Sequence, residues 1–283
     1  MQSINRSGSA RYGVVGNPVG HSKSPAIHMA FAAAAGQDIT YETIEAGPGG
    51  FRAAVDGFRA AGGRGLNVTT PFKLEAAAYV TELRERARLA GAVNAMLFED
   101  GRAIGDNFDG VGLIRDILRL GGGIAGRRVL LLGAGGAARG AVLPFLAERP
   151  AALVVANRDL AKATALAGEM EGRGPVTAIG YAELGGQAPF DIVVNATSAS
   201  LHGTALPVPA GSFGPGCLAY EMVYGRGLTP FLVTARRAGA GTLADGVGML
   251  VEQAAEAFAW WRGVRPETGP VIAAMTVPLV GGA

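Results

Sequence analysis

The chain carries one cysteine, Cys217, and three histidines, His21, His28 and His202, in 283 residues. A single thiol cannot close an internal disulfide, which fits a reducing cytoplasm. The histidines lack the spacings of a metal site, so no metal is expected. Charge of neither sign dominates. The formal net charge is +2, which leaves no electrostatic case for nucleic acid as a partner. Long apolar runs are missing too: none approaches the ~20 residues that cross a bilayer. The N-terminus lacks a charged-then-apolar signal pattern, and Met1 to Ala10 reads as a loose polar leader. Charged residues are sparse at 17% while hydrophobic ones make 49%. That combination excludes a disordered chain and supports a sizeable core.

What the chain has in excess is glycine, 45 residues. The organising stretch is Arg127–Gly140, RRVLLLGAGGAARG. Val129–Leu132 is wholly apolar, as in a parallel strand buried on both faces. Gly133 permits a tight turn, Gly135 lets the backbone approach a pyrophosphate, and Ala138 is the small residue that lets helix and strand pack closely. The helix start near Gly136 offers free N–H groups and a positive dipole end. A glycine-rich turn in an ordinary βα unit has the same spacing. A second strand ending at Asn157 favours the nucleotide-binding reading.

In chain order, strands are expected at Tyr12–Gly16, Thr40–Ala46, Gly65–Thr69, Ala92–Phe98 and Arg102–Gly105, the last two joined by an Asp100-Gly101 hairpin turn. Helices are expected from Ser24-Pro25 to about Gly36, with Ser24 as N-cap, and at Phe51–Ala61, Pro71–Val80 and Glu82–Leu89. After a helix at Asp109–Leu120 and a GGGIAG linker, further strands read at Leu153–Asn157, Val176–Ile179, Ile192–Ala196 and Leu218–Val223. Helices at Val247–Trp261 and Thr268–Met275 close the chain and are expected to pack back on the first domain. The fold class is α/β.

Four constellations could carry chemistry. In His21-Ser22-Lys23-Ser24-Pro25, two hydroxyls at a loop-to-helix junction can serve a carboxylate, or merely cap the helix. In Leu66-Asn67-Val68-Thr69-Thr70-Pro71-Phe72-Lys73, Asn67 and Thr69 share one face of a strand end. Lys73 meets the positive end of the next helix dipole and asks for an anion, unless it is a solvated surface lysine. Ala92-Val93-Asn94 with Gly105-Asp106-Asn107-Phe108-Asp109-Gly110 crowds polar residues at a strand end, as a site or as a turn and cap. Asn157-Arg158-Asp159 with Lys162 follows the second nucleotide strand. There an acidic residue would grip a ribose 2′-hydroxyl and an Arg would accommodate a 2′-phosphate.

Taken together, GNPVGHSKSP, NVTTPFK, GAVNA, GDNFDGVG, GAGGAARG, ANRD, NATS, YEMVY, TPF and ADGVGML resemble the shikimate dehydrogenase family, in the family's order along nearly the whole chain. The resemblance implies a discontinuous α/β substrate domain, residues 1–109 with 246–283, and a Rossmann-type nucleotide-binding domain, residues 110–245, with the active site in the cleft between them. It implies an oxidoreductase that reversibly reduces 3-dehydroshikimate to shikimate with NADP, in aromatic amino-acid biosynthesis, in the cytoplasm. The partner is then a small-molecule substrate, not nucleic acid or membrane, with a homodimer as the assembly to consider.

Residue by residue, the resemblance makes Lys73 and Asp109 the catalytic pair. Ser22 and Ser24 would hold the substrate carboxylate, and Asn67, Thr69, Asn94 and Gln253 its hydroxyl side, with Tyr224 lining the site. Gly133, Ala134, Gly135, Gly136 and Ala137 would bind the pyrophosphate, Asn157, Arg158 and Lys162 the adenosine phosphate, and Thr197, Ser198, Met222 and Gly246 the remainder of the cofactor. Three positions depart from the family: Phe108 stands where Thr is usual, Asp159 where NADP users carry Thr, and Ser200 where Gly is common. They bear respectively on substrate fit, cofactor choice and loop geometry. Two rivals stay open: a quinate or polyol-acid paralogue using NAD, and a non-catalytic nucleotide sensor, which would be expected to lose Lys73 or Asp109.

Overall fold

The computed structural model describes residues 9–225 and 227–279; most of the leader, through Gly8, lies outside them. Two compact units form. One comprises the chain up to Phe108 plus Ala254–Val271, the other Asp109–Gln253 plus the residues from Ile272.

The first unit runs β1 (Ala10–Gly16), α1 (Ser24–Ala34), β2 (Ile39–Glu45), α2 (Phe51–Ala60), β3 (Gly63–Val68), α3 (Lys73–Tyr79), β4 (Glu82–Leu83), α4 (Glu85–Ala90), β5 (Ala95–Glu99) and β6 (Arg102–Asp106). Its sheet has the order β2-β1-β3-β5-β6-β4. β1 is parallel to β2 and β3, and β5 is antiparallel to β3 and β6. The ends of β1, β3 and β6 and the start of β5 therefore meet at one edge. The hairpin works as expected, since Asp100 (φ 50°) and Gly101 (φ 77°) both take positive φ, as a two-residue primed turn requires. The core gathers Val15, Phe51, Val55, Phe58, Leu66, Phe72 and Met96.

Three expectations in this unit need correcting. Ser24 is the first helical residue, not the cap; the Ser22 hydroxyl accepts its N–H at 3.2 Å. Glu82 and Leu83 are strand rather than helix. Thr81 exchanges bonds with Ala103 through backbone and hydroxyl, and Arg84 N–H reaches Gly105, so this pairing overrides the helical pattern up to Glu85. Ala92–Asn94 precede β5 instead of opening it, because their backbone serves Lys73, Asp106 and Asn107.

The second unit contains α5 (Asp109–Arg119), β7 (Arg128–Leu132), α6 (Gly136–Ala147), β8 (Ala152–Asn157), α7 (Leu160–Gly168), β9 (Val176–Gly180), β10 (Phe190–Asn195), β11 (Phe213–Glu221), α8 (Pro230–Arg237), β12 (Thr242–Ala244) and parts of α9 (Val247–Arg262) and α10 (Gly269–Met275). All six strands are parallel, in the order β12-β11-β10-β7-β8-β9. In order of appearance this reads 3-2-1-4-5-6, the doubly wound arrangement that binds dinucleotides where the winding reverses, between β7 and β10. β12, three residues long, was too short to read from the sequence. The strand expected at Leu218–Val223 starts at Phe213 and stops at Glu221, where polar bonding to loops takes over. The boundary between units falls inside α9, whose residues from Ala254 belong to the first unit. There Trp261 stacks on Tyr12 and donates to Met96 O at 3.0 Å, and Arg262 holds Gln37.

Glycine sets the helix spacing in the second unit. A Cβ on Gly110 of α5 would lie 2.0 Å from Gly140 O of α6, one on Gly112 2.7 Å from Met249 O of α9, and one on Gly248 of α9 2.0 Å from Asp116. In a free helix Gly110→Ala would stabilise by about 1 kcal/mol. Here overpacking should cost about 1–3 kcal/mol, lowering the melting temperature by roughly 2–10 °C. A scanning calorimetry trace with an unchanged or raised midpoint would refute this close approach.

Candidate functional site

In the first unit the strand edge gathers the polar residues singled out above. Neighbouring parallel strands β1 and β3 deliver the Ser22–Ser24 loop and the Thr69–Lys73 turn to the same end. The loops are laced together, Asn17 N–H donating to Thr70 O at 3.0 Å and Thr69 N–H to Val15 O at 3.0 Å. A Cβ on Gly16 would sit 2.4 Å from Thr69 Cγ2, so only glycine lets the loops approach this closely. Ser24, Asn67 and Asn94 are buried, and Ser22, Thr69 and Lys73 are half-buried. Lys73 opens α3, and its carbonyl accepts from Val93 N–H at 2.9 Å.

Asn67 is held rigidly. Tyr41 Oη donates to its Oδ1 at 2.8 Å, and its Nδ2 reaches Asn94 O at 3.3 Å. Tyr41 stacks on His28, ring centroids 4.4 Å apart. Burial lowers the His28 pKa to about 3, so this imidazole is neutral and serves as an aromatic support. Burial likewise raises the Tyr41 phenol well above its ordinary range. Neither residue announced itself in the sequence, because their partners lie far away along the chain. Asn94 Oδ1 accepts from Phe108 N–H at 2.9 Å and Asn107 Nδ2 donates to Ala92 O at 3.0 Å. Asp106, fully buried, pairs with Arg86 at 2.5 Å and accepts from Asn107 N–H.

The second unit assembles the nucleotide-type features. Gly133 has φ +108° and its N–H donates to Ala156 O at 2.8 Å. Gly135 is the N-cap of α6, which has no side-chain cap, and space is open around the Cα atoms of Gly135 and Gly136. Ala138 is fully buried, as close helix–strand packing requires. The exposed end of β8 presents Arg158, with Asn157 Nδ2 donating to Asp159 O at 2.9 Å. Asp159 caps α7, accepting from Ala161 N–H at 3.1 Å. It approaches Lys162 only at 3.9 Å, both being largely exposed, a pairing of little strength.

Beyond β10 and β11 stand Thr197, Ser198, Met222 and Tyr224, the last 42% exposed. Thr197 donates to Asn195 Oδ1 at 2.7 Å. A Cβ on Gly246 would meet Met222 O at 2.2 Å, which explains glycine there. Asp109 is the first residue of α5. Gln253 lies on α9, its Nε2 donating to Leu250 O at 2.9 Å. Ser200 carries more than loop geometry: its hydroxyl donates to the buried Glu221.

This arrangement offers, on one unit, hydroxyl and amide groups around a lysine, suited to a polyhydroxylated carboxylic acid. On the other it offers an uncapped helix N-terminus behind a glycine turn with a cation at the next strand end, suited to a phosphorylated dinucleotide. Residues 14–96 match the shikimate dehydrogenase substrate binding domain, residues 116–203 the shikimate / quinate 5-dehydrogenase family, and residues 246–276 the shikimate 5′-dehydrogenase C-terminal domain. The chain is 57% identical to the shikimate dehydrogenase (NADP(+)) of Chromobacterium violaceum, over 92% of this chain and 96% of that one. It is 54% identical to that of Dechloromonas aromatica, over 95% and 98%. It also superimposes on the crystal structure of an Ael1 enzyme from Pseudomonas putida with a TM-score of 0.91 and 56% identity, covering 96% and 100%.

Phe108 points into the first unit's core. It is 3% exposed, clusters with Ala95 and Ala257, and meets Trp260 edge-on at 5.7 Å, with the Arg86 guanidinium 5.1 Å over its ring. Phe108→Thr should therefore destabilise the protein by roughly 2–4 kcal/mol, within the range for truncated buried aromatics, as read by denaturant unfolding. Unchanged stability together with altered substrate affinity would place this side chain in the site instead.

Proposed function

The chain belongs to the shikimate dehydrogenase family, and from that premise we propose that it is an NADP-dependent enzyme interconverting 3-dehydroshikimate and shikimate in aromatic amino-acid biosynthesis. The observation that carries this is the single strand edge presenting Ser22, Ser24, Asn67, Thr69, Lys73 and Asn94. Shikimate offers one carboxylate and three hydroxyls. The Ser22 and Ser24 hydroxyls bind the carboxylate, and the amides of Asn67 and Asn94 with the Thr69 hydroxyl take the ring hydroxyls. Gln253 and Tyr224 complete the set. The substrate-binding part is assigned to residues 1–109 with 246–283, the nucleotide-binding part to 110–245.

NADPH supplies a hydride to the ring carbonyl. Its pyrophosphate suits the N-terminus of α6, where Gly133 makes the turn and Ala134–Ala137 bring first-turn N–H groups with no side chain large enough to exclude it. Asn157, Arg158 and Lys162 serve the 2′-phosphate, and Thr197, Ser198, Met222 and Gly246 the other end. As the carbonyl oxygen gains charge, Lys73 Nζ donates a hydrogen bond to it and lowers the barrier electrostatically, and the Lys73–Asp109 pair delivers the proton that turns the oxygen into the product hydroxyl. Asp109 supplies the carboxylate that orients the donor and accepts from the substrate's hydroxyl.

On cofactor choice, the Ala161 N–H bond to Asp159 Oδ1 supports the capping reading of this residue over the ribose-binding one that NAD would use. A cytoplasmic location fits the lone Cys217, which is fully buried, its thiol pushed by burial to about 11. Among the described residues no helix is long and apolar enough to cross a membrane. The homodimer completes the proposal and is read by light scattering.

Lys73→Ala should lower kcat by roughly 10²–10⁴-fold with an unchanged unfolding transition; near-normal turnover would remove Lys73 from the chemistry. Arg158→Ala should raise KM for NADP by roughly 10–100-fold, as loss of a charge-assisted bond implies, and leave KM for NAD nearly alone. Wild-type kinetics with shikimate and quinate, each with both nicotinamides, test the whole assignment. A higher kcat/KM with NAD or with quinate would overturn it.

A further inference from the structure

Glu221 ends β11 fully buried, directly opposite Asn195 at the end of β10. Donors converge on its carboxylate. Asn195 Nδ2 lies 3.2 and 2.9 Å from the two oxygens, the Ser200 hydroxyl 2.5 Å, the Thr229 hydroxyl 3.0 Å and the Val223 N–H 3.2 Å. Asn195 Oδ1 accepts from both the N–H and the hydroxyl of Thr197, at 3.0 and 2.7 Å. Burial pushes the Glu221 pKa up, and these donors oppose that shift.

A buried carboxylate is a poor device for stability alone, since apolar packing does as well or better. Its use is to hold loops in one conformation, and Glu221 holds two. One follows β10 and carries Thr197 and Ser198; the other follows β11 and carries Met222 and Tyr224. Both lie on the β10–β11 side of β7, whereas Asn157, Arg158 and Lys162 lie on the β8 side.

We propose that Glu221 is a positioning residue for the nicotinamide end of the cofactor, setting the β10 and β11 loops through Asn195, Ser200 and Val223 and leaving the adenosine end untouched. This rests on the reading of the second unit as the NADP site, and the two can be separated by ligand choice. Adenosine 2′,5′-bisphosphate engages only the adenosine end; NADPH engages both.

Isothermal titration of the full chain with each ligand gives the test. Glu221→Gln keeps the shape but sets an NH2 group against surrounding donors. It should weaken NADPH roughly tenfold or more, as loss of bonds to a charged group implies, with bisphosphate affinity held within about twofold. Equal loss for both ligands would make Glu221 a scaffold residue, and unchanged NADPH affinity would remove it from any role; either overturns the proposal. Should Glu221→Gln fail to fold, Ser200→Ala removes one donor only and should weaken NADPH selectively by roughly threefold. An unaltered NADPH affinity there overturns it equally. A wild-type chain that binds NADPH but not the bisphosphate would instead overturn the placement of the adenosine end, and the proposal with it.

Discussion

The close approach of α5 to α6 and α9 is the constraint on which the second unit depends. α5 begins at Asp109, α6 at the glycine turn, and α9 carries Gln253. Their crossings are made by Gly110 against Gly140 and by Gly112 against Met249 and Gln253. Any side chain at the first two positions of contact would push α5 outward and carry Asp109 with it. One packing event therefore fixes the Asp109 carboxylate, proposed as catalytic, relative to the glycine turn proposed to hold the pyrophosphate. Pro144 within α6 belongs to the same contact, since it too lies beside Gly110.

The first unit reaches rigidity by another route. Its polar residues are held by one another's backbone: Asn67 by Asn94, Asn94 by Asp106 and Phe108, Lys73 by Val93. Sequence-distant loops at a common strand edge exchange main-chain bonds, so no single loop can shift independently. Beneath them, His28 and Tyr41 stack with Phe258 and Trp261 nearby, an aromatic floor joined to the site through the Tyr41–Asn67 bond.

The sequence was legible where one local rule dominates. Val129–Leu132 and Gly133 declared the strand and the tight turn that follows it, because a buried parallel strand and a positive φ leave few alternatives. Asp159 was open to two readings, a cap or a ribose ligand, and its bond to Ala161 N–H favours the cap. Where a partner lies far along the chain the signal disappears. Glu82-Leu83 looked helical until paired with β6, and Thr242–Ala244 gave no period at all. Glu221 sits inside YEMVY, Ser200 just past NATS and Tyr41 in the strand expected at Thr40–Ala46, yet only the register of β10 against β11, or of β1 against β2 and β3, brings them to their partners.

Three buried carboxylates show what these hidden partners have in common. Asp106 closes β6 and pairs with Arg86. Asp116 accepts from Tyr220 Oη at 2.7 Å and from Arg119, and Tyr220 Oη in turn accepts from Met249 N–H at the start of α9. Glu221 closes β11. Desolvation raises the pKa of both Asp116 and Glu221, so each is held at a cost that apolar packing would avoid. Each is nevertheless tied to a loop or helix start bearing a proposed site residue: Asp106 and Glu221 directly, through Asn107 N–H ahead of Asp109 and Val223 N–H beside Tyr224, and Asp116 by way of Tyr220, whose Oη accepts from Met249 N–H ahead of Gln253. Hydrophobic contact tolerates sliding, whereas a carboxylate with several donors has one best geometry. The cores keep the units folded, and the buried acids fix where their functional edges point.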